Sequence, residues 1–459
     1  MIYIGVDLGT HGLKYFVSQD ENIVENNKII INAVISQESG FEEQNPSLWG
    51  AAFLQLIDYF KAKYKKFILC ISSTSGSVLP VDRNGKPLYN AIMYNDNRSV
   101  KEAQILNLVA FEFTRKLGYK FNASFSLPKI LWIKNNLPHI YKITRYFLHP
   151  ADYLVFLASG VLGVTDYSNS LKSGFDILEY KWPGFIEEVG IDIEKLPKVY
   201  SPTFKVSDSV VLGMTDGCAS QIATGSFDVG NSMISVGSTL VIKAVSKKLN
   251  PDPEGRFYYH LNFDKKTFLP GGASNAGGTF FEKNFSLDEI ESFSEHIKSA
   301  MPSEKLIYPI IKRGERFPFF DPNFVGLDDP SLLDNKKELF KSSIEGLAYI
   351  SRYAFETLSQ FSIEFLDNTY VVGPMFNYSN ILKIFANILN KTIVKTKYSD
   401  ASFGDLLLAM ISNNIEKEEI KKIIGVEEIL EPDAISVPLY LEKYLMFKER
   451  IEKNIGGNK

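Results

Sequence analysis

The chain opens on "IYIGVDLGTHGLKYFVS", and this stretch limits the fold more than any other. An apolar strand runs into Asp7, bends through Gly9, Thr10, His11 and Gly12, and resumes as "LKYFV". Glycines permit φ > 0 and leave no Cβ in the way, so successive backbone N–H groups of such a bend can point at an anion, with the Thr10 hydroxyl as a further donor. The turn suits phosphate. Its spacing is neither the dinucleotide fingerprint nor the GxxxxGK[ST] loop. Asp7 cannot itself bind phosphate, but a carboxylate at a strand end can hold Mg²⁺ through water, because Mg²⁺ keeps much of its hydration. A plain β-hairpin with an exposed aspartate would have the same local sequence. The layout recurs in "NSMISVGSTLVIKAVS" (231–246), where Gly237, Ser238 and Thr239 stand between two apolar strands. Two such hairpins, one at the start and one near the middle, suggest a duplicated α/β domain with a cleft between the copies.

The stretches between them alternate strand and helix. In "SLWGAAFLQLIDYFKAKYKKF", Trp49, Phe53, Leu56, Ile57, Phe60 and Tyr64 recur at steps of three and four, which predicts an amphipathic helix, and "FILCISS" follows as a short apolar strand. "TRYFLHPADYLVFLASG" reads as another strand and helix, and "YKWPGF", "VYSPTF" and "GERFPFFDPNF" as loops. The charged stretch "EKEEIKKIIGVEEILEPD" reads as a solvated helix and loop. A chain of 459 residues, 45% hydrophobic, exceeds one ordinary core, and the recurrence divides it into domains 1–224 and 225–459.

Composition excludes several classes of partner. Fifty Lys+Arg against 54 Asp+Glu give a formal charge of −4 with no basic stretch to track a phosphate backbone, so no nucleic acid is expected. The longest apolar run, near "YLVFLASGVLGV", falls short of the roughly 20 residues that span a bilayer. Cys70 and Cys218 have neither metal-ligand spacing nor a disulfide framework, which suits a reducing cytoplasm.

Asp216 lies in "VVLGMTDGCASQIATG", where an apolar strand ends in a Gly-containing bend and a small-residue helix begins. That places one carboxylate beside a helix N-terminus, where negative charge is favoured. From the residues alone it is a helix cap or a catalytic base.

The segments "GVDLGTHGLK", "EEQNPSLW", "MYNDNRS", "DYL", "GMTDGCAS", "SVGSTLVIK" and "VVGPMFNYSNILKIFANIL" resemble, in order and spacing, the FGGY carbohydrate kinases, relatives of hexokinase and actin. The resemblance runs from residue 1 to about 411. "STSGSVLPVDRNGKPLYNAIMYNDNR", "TDYSNSLKSGFD", "GGASNAGG" and "YPIIKRGERFPFFDP" are most similar to the D-ribulokinase-like branch. It implies two actin-like (ribonuclease H-like) α/β domains around a cleft, ATP and Mg²⁺ as cofactors, and phosphorylation of a ketopentose's terminal hydroxyl, D-ribulose ahead of D-xylulose. Asp216 would be the base and also touch the sugar; Asp7 would hold the metal. Gly9, Thr10, His11 and Gly12 would close on the ATP phosphates from one side and Gly237, Ser238 and Thr239 from the other, with Lys14 neutralising charge. His11 could equally face solvent, and Lys14 a solvated strand face. Thr74, Ser75, Gly76 and Asp96 would line the sugar pocket, Arg98 organising Asp96. A homodimer is compatible with the family.

Two positions depart from the family pattern. The adenosine loop, usually rich in glycine, reads Val372-Gly373-Pro374-Met375 and continues to Phe376 and Asn377. Proline fixes φ and removes an N–H. Asp405 replaces a small residue expected on a closely packed helix. These departures leave room for a second class, a catalytically silent sugar- or nucleotide-binding protein. An actin-like filament or chaperone ATPase would have no use for "MYNDNR" or "TDYSNSLKSGFD".

Overall fold

The computed structural model describes residues 1–36, 40–328 and 335–456. Its first sheet contains β1 (Ile2–Gly9), β2 (Gly12–Gln19), β3 (Asn22–Ile30), β4 (Phe67–Ser73) and β5 (Val210–Val211), in the order β5-β4-β1-β2-β3. β1 runs antiparallel to β2 and parallel to β4. Its apolar run is buried on both faces, so no alternation with polar residues is needed. Ile4, Val6 and Leu8 pack toward helix α1 (Pro46–Lys63), whose stripe of Trp49, Phe53, Leu56, Ile57 and Phe60 is buried there as the periodicity predicts. Asn45 caps that helix by accepting from the Ser47 N–H at 3.0 Å, and Pro46 occupies its first position.

The opposite face of this sheet, with Tyr3, Phe16, Ile68 and Cys70, packs against α2 (Asp216–Ala223) and against a helix from much later in the chain.

The second sheet repeats the plan. The hairpin β6 (Ser232–Val236) and β7 (Leu240–Ala244) continues through β8 (Tyr258–Leu261) and β9 (Phe268–Ser274). Between the strands of its other side come α3 (Lys336–Ser359), then β10 (Thr369–Val372), α4 (Ser379–Leu389), β11 (Ile393–Thr396), α5 (Ala401–Ser412), α6 (Lys417–Ile424) and β12 (Val426–Leu430). The order is β8-β9-β7-β6-β10-β11-β12. As in the first sheet, the hairpin is antiparallel and its neighbour on the other side, β10, is parallel to the first strand. The charged stretch after residue 415 corrects the expectation of a solvated helix and loop: "VEEIL" is an edge strand antiparallel to β11, and α6 buries Ile420 and Ile424. The helix period of the preceding residues hid a two-residue alternation too short to register by itself.

The late helix on the first sheet is α5. It passes so close that a Cβ on Gly5 would lie 1.9 Å from the Ser402 carbonyl oxygen, and one on Gly404 would lie 1.9 Å from that of Ala219. A helix of the second half is thus wedged between β1 and α2, backbone against backbone. Cys70 and Cys218 are buried and free. No described helix is long and apolar enough to cross a membrane.

Candidate active site

The first hairpin closes through Thr10 and His11, with Gly9 opposite Gly12. Gly12 has φ +141°, and a Cβ on it would come within 2.0 Å of the Ile29 carbonyl oxygen, so glycine is obligatory there. Gln44 Nε2 donates to the Thr10 carbonyl at 2.9 Å, which fixes the turn. His11 faces solvent, and its carbonyl accepts from the Ile31 N–H at 3.0 Å. In the second hairpin Gly237 and Ser238 are exposed. The Gly278 N–H donates to the Gly237 carbonyl at 2.7 Å and Thr279 Oγ1 to that of Ser238 at 3.0 Å, fastening the tip to a following helix.

A cavity of 480 Å³ brings together Asp7, Lys14, Asp216, Gly373, Pro374 and Asn377 from three distant parts of the chain. The two hairpin tips are not among its lining residues. Asp7 is buried at the end of β1, where Ser72 Oγ donates to its Oδ1 at 3.0 Å. Burial, and then the charge of Asp216, push its carboxyl up to about 7 against the opposing pull of Ser72 and Lys14. Asp216 is the first residue of α2, and its Oδ1 accepts from the Gly217 N–H at 2.7 Å. Burial raises its pKa too, while that N–H and the ammonium groups of Lys172 and Lys243 lower it. A buried carboxyl whose proton affinity is raised further by a second carboxylate forms a place where a cation is welcome. Their hard oxygens fit a hydrated Mg²⁺, and no larger cluster of metal-binding side chains exists among the described residues, as an ion that keeps its water allows. Lys14, on an exposed strand face, reaches Asp400 at 2.6 Å across the cavity.

The expected sugar-site residues divide. Thr74 Oγ1 pairs with Ser77 Oγ at 3.1 Å, Ser75 Oγ is buried without a partner among the described residues, and Gly76 has φ +86° with its Cα turned against the Ser124 carbonyl. Asp96 is a correction. It is fully buried, and its oxygens accept from the Glu42 N–H (2.6 Å) and from the Arg98 N–H, Nε and Nη2. Arg98 also donates to Glu43 Oε1 at 2.8 Å and lies over the rings of Phe41 and Trp132 at 4.0 and 4.9 Å. With its acceptor capacity used, Asp96 anchors the loop of residues 93–99 instead of offering oxygens to a sugar. Asp405 is fully buried on α5 with neither oxygen partnered among the described residues, and burial pushes its pKa well up.

Sequence reasoning missed Lys172, Lys243 and His260. Lys172 Nζ lies 3.5 Å from the Ser75 carbonyl, and Lys243 Nζ donates to the Gly217 carbonyl. Both lysines stand in quoted segments, yet a lone lysine on a strand or loop usually marks a solvated face. Only their convergence on Asp216 distinguishes them.

Comparison with known proteins gives this arrangement its setting. Residues 2–216 match the FGGY family of carbohydrate kinases, N-terminal domain, and residues 259–412 match the C-terminal domain. The chain belongs to the FGGY family of carbohydrate kinases. It is 23% identical over 481 aligned residues to a xylulose kinase of Staphylococcus xylosus, covering 97% of this chain and 98% of that one. It is 24% identical to a gluconokinase of Bacillus subtilis over 78% of this chain and 77% of the relative. A ligand-bound xylulose kinase from Lactobacillus acidophilus superposes with a TM-score of 0.86 at 21% identity, over 99% of this chain and 98% of that one. A Plasmodium falciparum glycerol kinase with ADP gives 0.83 at 18%, over 99% and 97%. The fold is the two-domain actin-like fold of FGGY sugar kinases, and the protein is an ATP-dependent sugar kinase.

The stretch of residues 372–375, expected from the resemblance to be the adenosine loop, has a definite geometry. Gly373 takes φ +124°, and a Cβ on it would lie 2.2 Å from the Val236 carbonyl oxygen, so this glycine is required. Pro374 then opens a 3₁₀ turn, Pro374–Asn377, and stands exposed at the cavity wall. If a nucleoside lies against this loop, as the family resemblance implies, the ring would keep a purine off the backbone and leave the phosphates as the main anchor. GTP and ITP are therefore expected to support turnover within about tenfold of ATP, roughly 1.4 kcal/mol. Pro374→Gly should tighten ATP binding more than it changes kcat, since the loop is remote from the transferred group. Steady-state kinetics with the three nucleotides checks this; a hundredfold preference for ATP would contradict it.

Proposed function

We propose that this kinase phosphorylates the terminal hydroxyl of a ketopentose, D-ribulose ahead of D-xylulose, with Asp216 as general base. The observation that carries the reading is the place of Asp216: at the head of α2, on the cavity shared with Asp7, and near the Ser75 turn through Lys172. The xylulose kinases among the relatives favour a ketopentose, and the segments "TDYSNSLKSGFD" and "GGASNAGG" favour the D-ribulokinase-like branch.

In this reading the attacking hydroxyl gives its proton to Asp216 as its oxygen approaches the γ-phosphorus. Ser75 and Thr74 orient the sugar. Gly9, Thr10 and Gly12 on one side and Gly237, Ser238 and Thr239 on the other close on the phosphates, and Lys14 exchanges Asp400 for phosphate oxygen. Asp7 would hold Mg²⁺ through water, and that ion supplies charge neutralisation at the phosphate oxygens. Asp7, kept high in proton affinity by burial and by Asp216, and Asp216, kept high by burial, are both better accommodated as carboxylates once a cation is near. Division of the chain near residue 225 puts the two phosphate turns on different domains, so that closure excludes water that would otherwise accept the phosphoryl group.

ADP release over a panel of ketopentoses, polyols, aldonates and hexoses tests the proposal. D-Ribulose is expected to exceed D-xylulose in kcat/KM, because a site built to hydrogen-bond one arrangement of hydroxyls leaves its polar groups unpaired with the other. A xylulose preference would move the chain to the neighbouring activity, and no ADP release with any acceptor would leave it a binding protein.

A further inference from the structure

Beside Asp216 lies a group of side chains to which the mechanism above gives no contact with the acceptor. Lys243 on β7, Gly271 on β9 and Tyr258 on β8 are in register across the second sheet, and so share a face. Gly271 adds no side chain between its neighbours; a Cβ there would lie 3.0 Å from Lys243 Cγ. His260, two residues from Tyr258, is on the same face with its ring 5.3 Å from that of Tyr258. It is only 8% exposed, and its Nε2 has no partner among the described residues. From the first half of the chain come Phe125, 6.1 Å from the Tyr258 ring, and Lys172, whose Nζ is 5.6 Å from the Phe125 ring and 3.5 Å from the Ser75 carbonyl. The Ser75 hydroxyl is likewise buried and unpartnered. Two orphaned polar atoms, two ammonium groups and two aromatic faces, drawn from both halves and adjoining the base, make a polar site whose unpaired groups call for a partner.

We propose that Lys172, Lys243 and His260 form the wall that reads the acceptor, and that it selects an acceptor bearing an sp² oxygen, a ketose carbonyl or an aldonate carboxylate, over the matching polyol. The inference rests on the kinase reading above. An ammonium group donates and never accepts, so a wall carrying two of them is rich in donors, and an oxygen with no proton of its own meets both without needing, as a hydroxyl does, an acceptor in return. A ketopentose phosphorylated at O5 supplies that oxygen. Its furanose ring closes through O5, so a chain with O5 free to attack is open and presents its C2 carbonyl. Neutral His260, its proton affinity lowered by burial and by the two lysines, adds a donor or an acceptor without further charge.

The test compares the wild type with Lys243→Met and His260→Gln on D-ribulose, D-gluconate and ribitol, reading both steady-state ADP release and calorimetric binding of each acceptor. The wild type is expected to favour D-ribulose or D-gluconate over ribitol by at least about a hundredfold in kcat/KM, as sites built to hydrogen-bond a group reject analogues that lack it. The arm that wins tells carbonyl from carboxylate. Each variant is expected to reduce that ratio about tenfold or more with KM for ATP unchanged; His260→Gln should act mainly through KM for the acceptor, whereas Lys243→Met, which also loses the bond to the Gly217 carbonyl and a charge beside Asp216, should in addition lower kcat for all three acceptors. A wild type that handles ribitol as well as D-ribulose, or variants that lower all three acceptors equally, would overturn the inference and leave the kinase reading intact. Were no ADP released with any acceptor, the kinase reading would fail, and the wall would still be judged by binding: loss of D-ribulose or D-gluconate binding in Lys243→Met supports it, and unchanged binding sinks it.

Discussion

Asp216→Asn is expected to lower kcat by about 10² to 10⁴, the usual worth of a general base, while ATP and sugar still bind. Asparagine keeps an oxygen for the Gly217 N–H, so the head of α2 is retained and the loss falls on proton transfer. The pH profile separates this from a structural effect. A base must be ionised to act, and burial raises the proton affinity of Asp216, so activity of the wild type should fall on acidification at a higher pH than an ordinary carboxylate would dictate. Above that pKa the base is fully available; below it the activity is lost as the proton goes on. The asparagine variant should show no such acid limb from this group. Near-normal turnover of Asp216→Asn would remove it from the mechanism.

Gly404→Ala is expected to cost about 3 kcal/mol, the upper end of what overpacking a core does, and to lower the melting temperature by about 6 to 12 °C on the scale of domains of this size. The added methyl would be aimed at the Ala219 carbonyl at 1.9 Å, a contact with backbone that no side-chain rotation can relieve. α5 cannot retreat, because its other side is held as closely by Gly5 of β1. The strain reaches the site directly, since α2 begins at Asp216 and β1 ends beside Asp7. Activity should therefore fall even at temperatures where the variant is folded. Gly184→Ala is the control: nothing lies within 4 Å of its would-be Cβ, its φ is −61°, and it should stay within about 0.5 kcal/mol of wild type. Equal melting temperatures for the two variants, read by calorimetry, would refute the backbone contact.

What was legible in the chain were features written over short distances. The two Gly-containing hairpins, the α1 stripe from Trp49 to Phe60, and the strand–bend–helix at Asp216 follow from local conformational preference and periodicity, and the structure has all three. Family-wide spacing placed Asp7, Lys14, Asp216, Gly373, Pro374 and Asn377 on one cleft, and they line one cavity. Asp96 shows where this stops. Arg98, two residues away, is expected from the sequence to organise Asp96, and it does; what the sequence does not show is that the Glu42 N–H, carried in by the strand at Glu42–Gln44, completes the set of donors and leaves the carboxylate no free oxygen.

By itself, then, the sequence determined most element types and the acid at the head of α2, which depend on residues within a turn or a strand of one another, and the duplicated plan and the family, which are written in the order and spacing of short segments along the chain. Tertiary structure alone decided that α5 is wedged between β1 and α2 at two glycines, that "VEEIL" joins a sheet edge, and that Lys172, Lys243 and His260 converge beside Asp216. Those outcomes depend on strand register and helix crossings between segments far apart in the chain, where a lysine or a glycine has the same local signature whether it meets solvent or a neighbouring backbone.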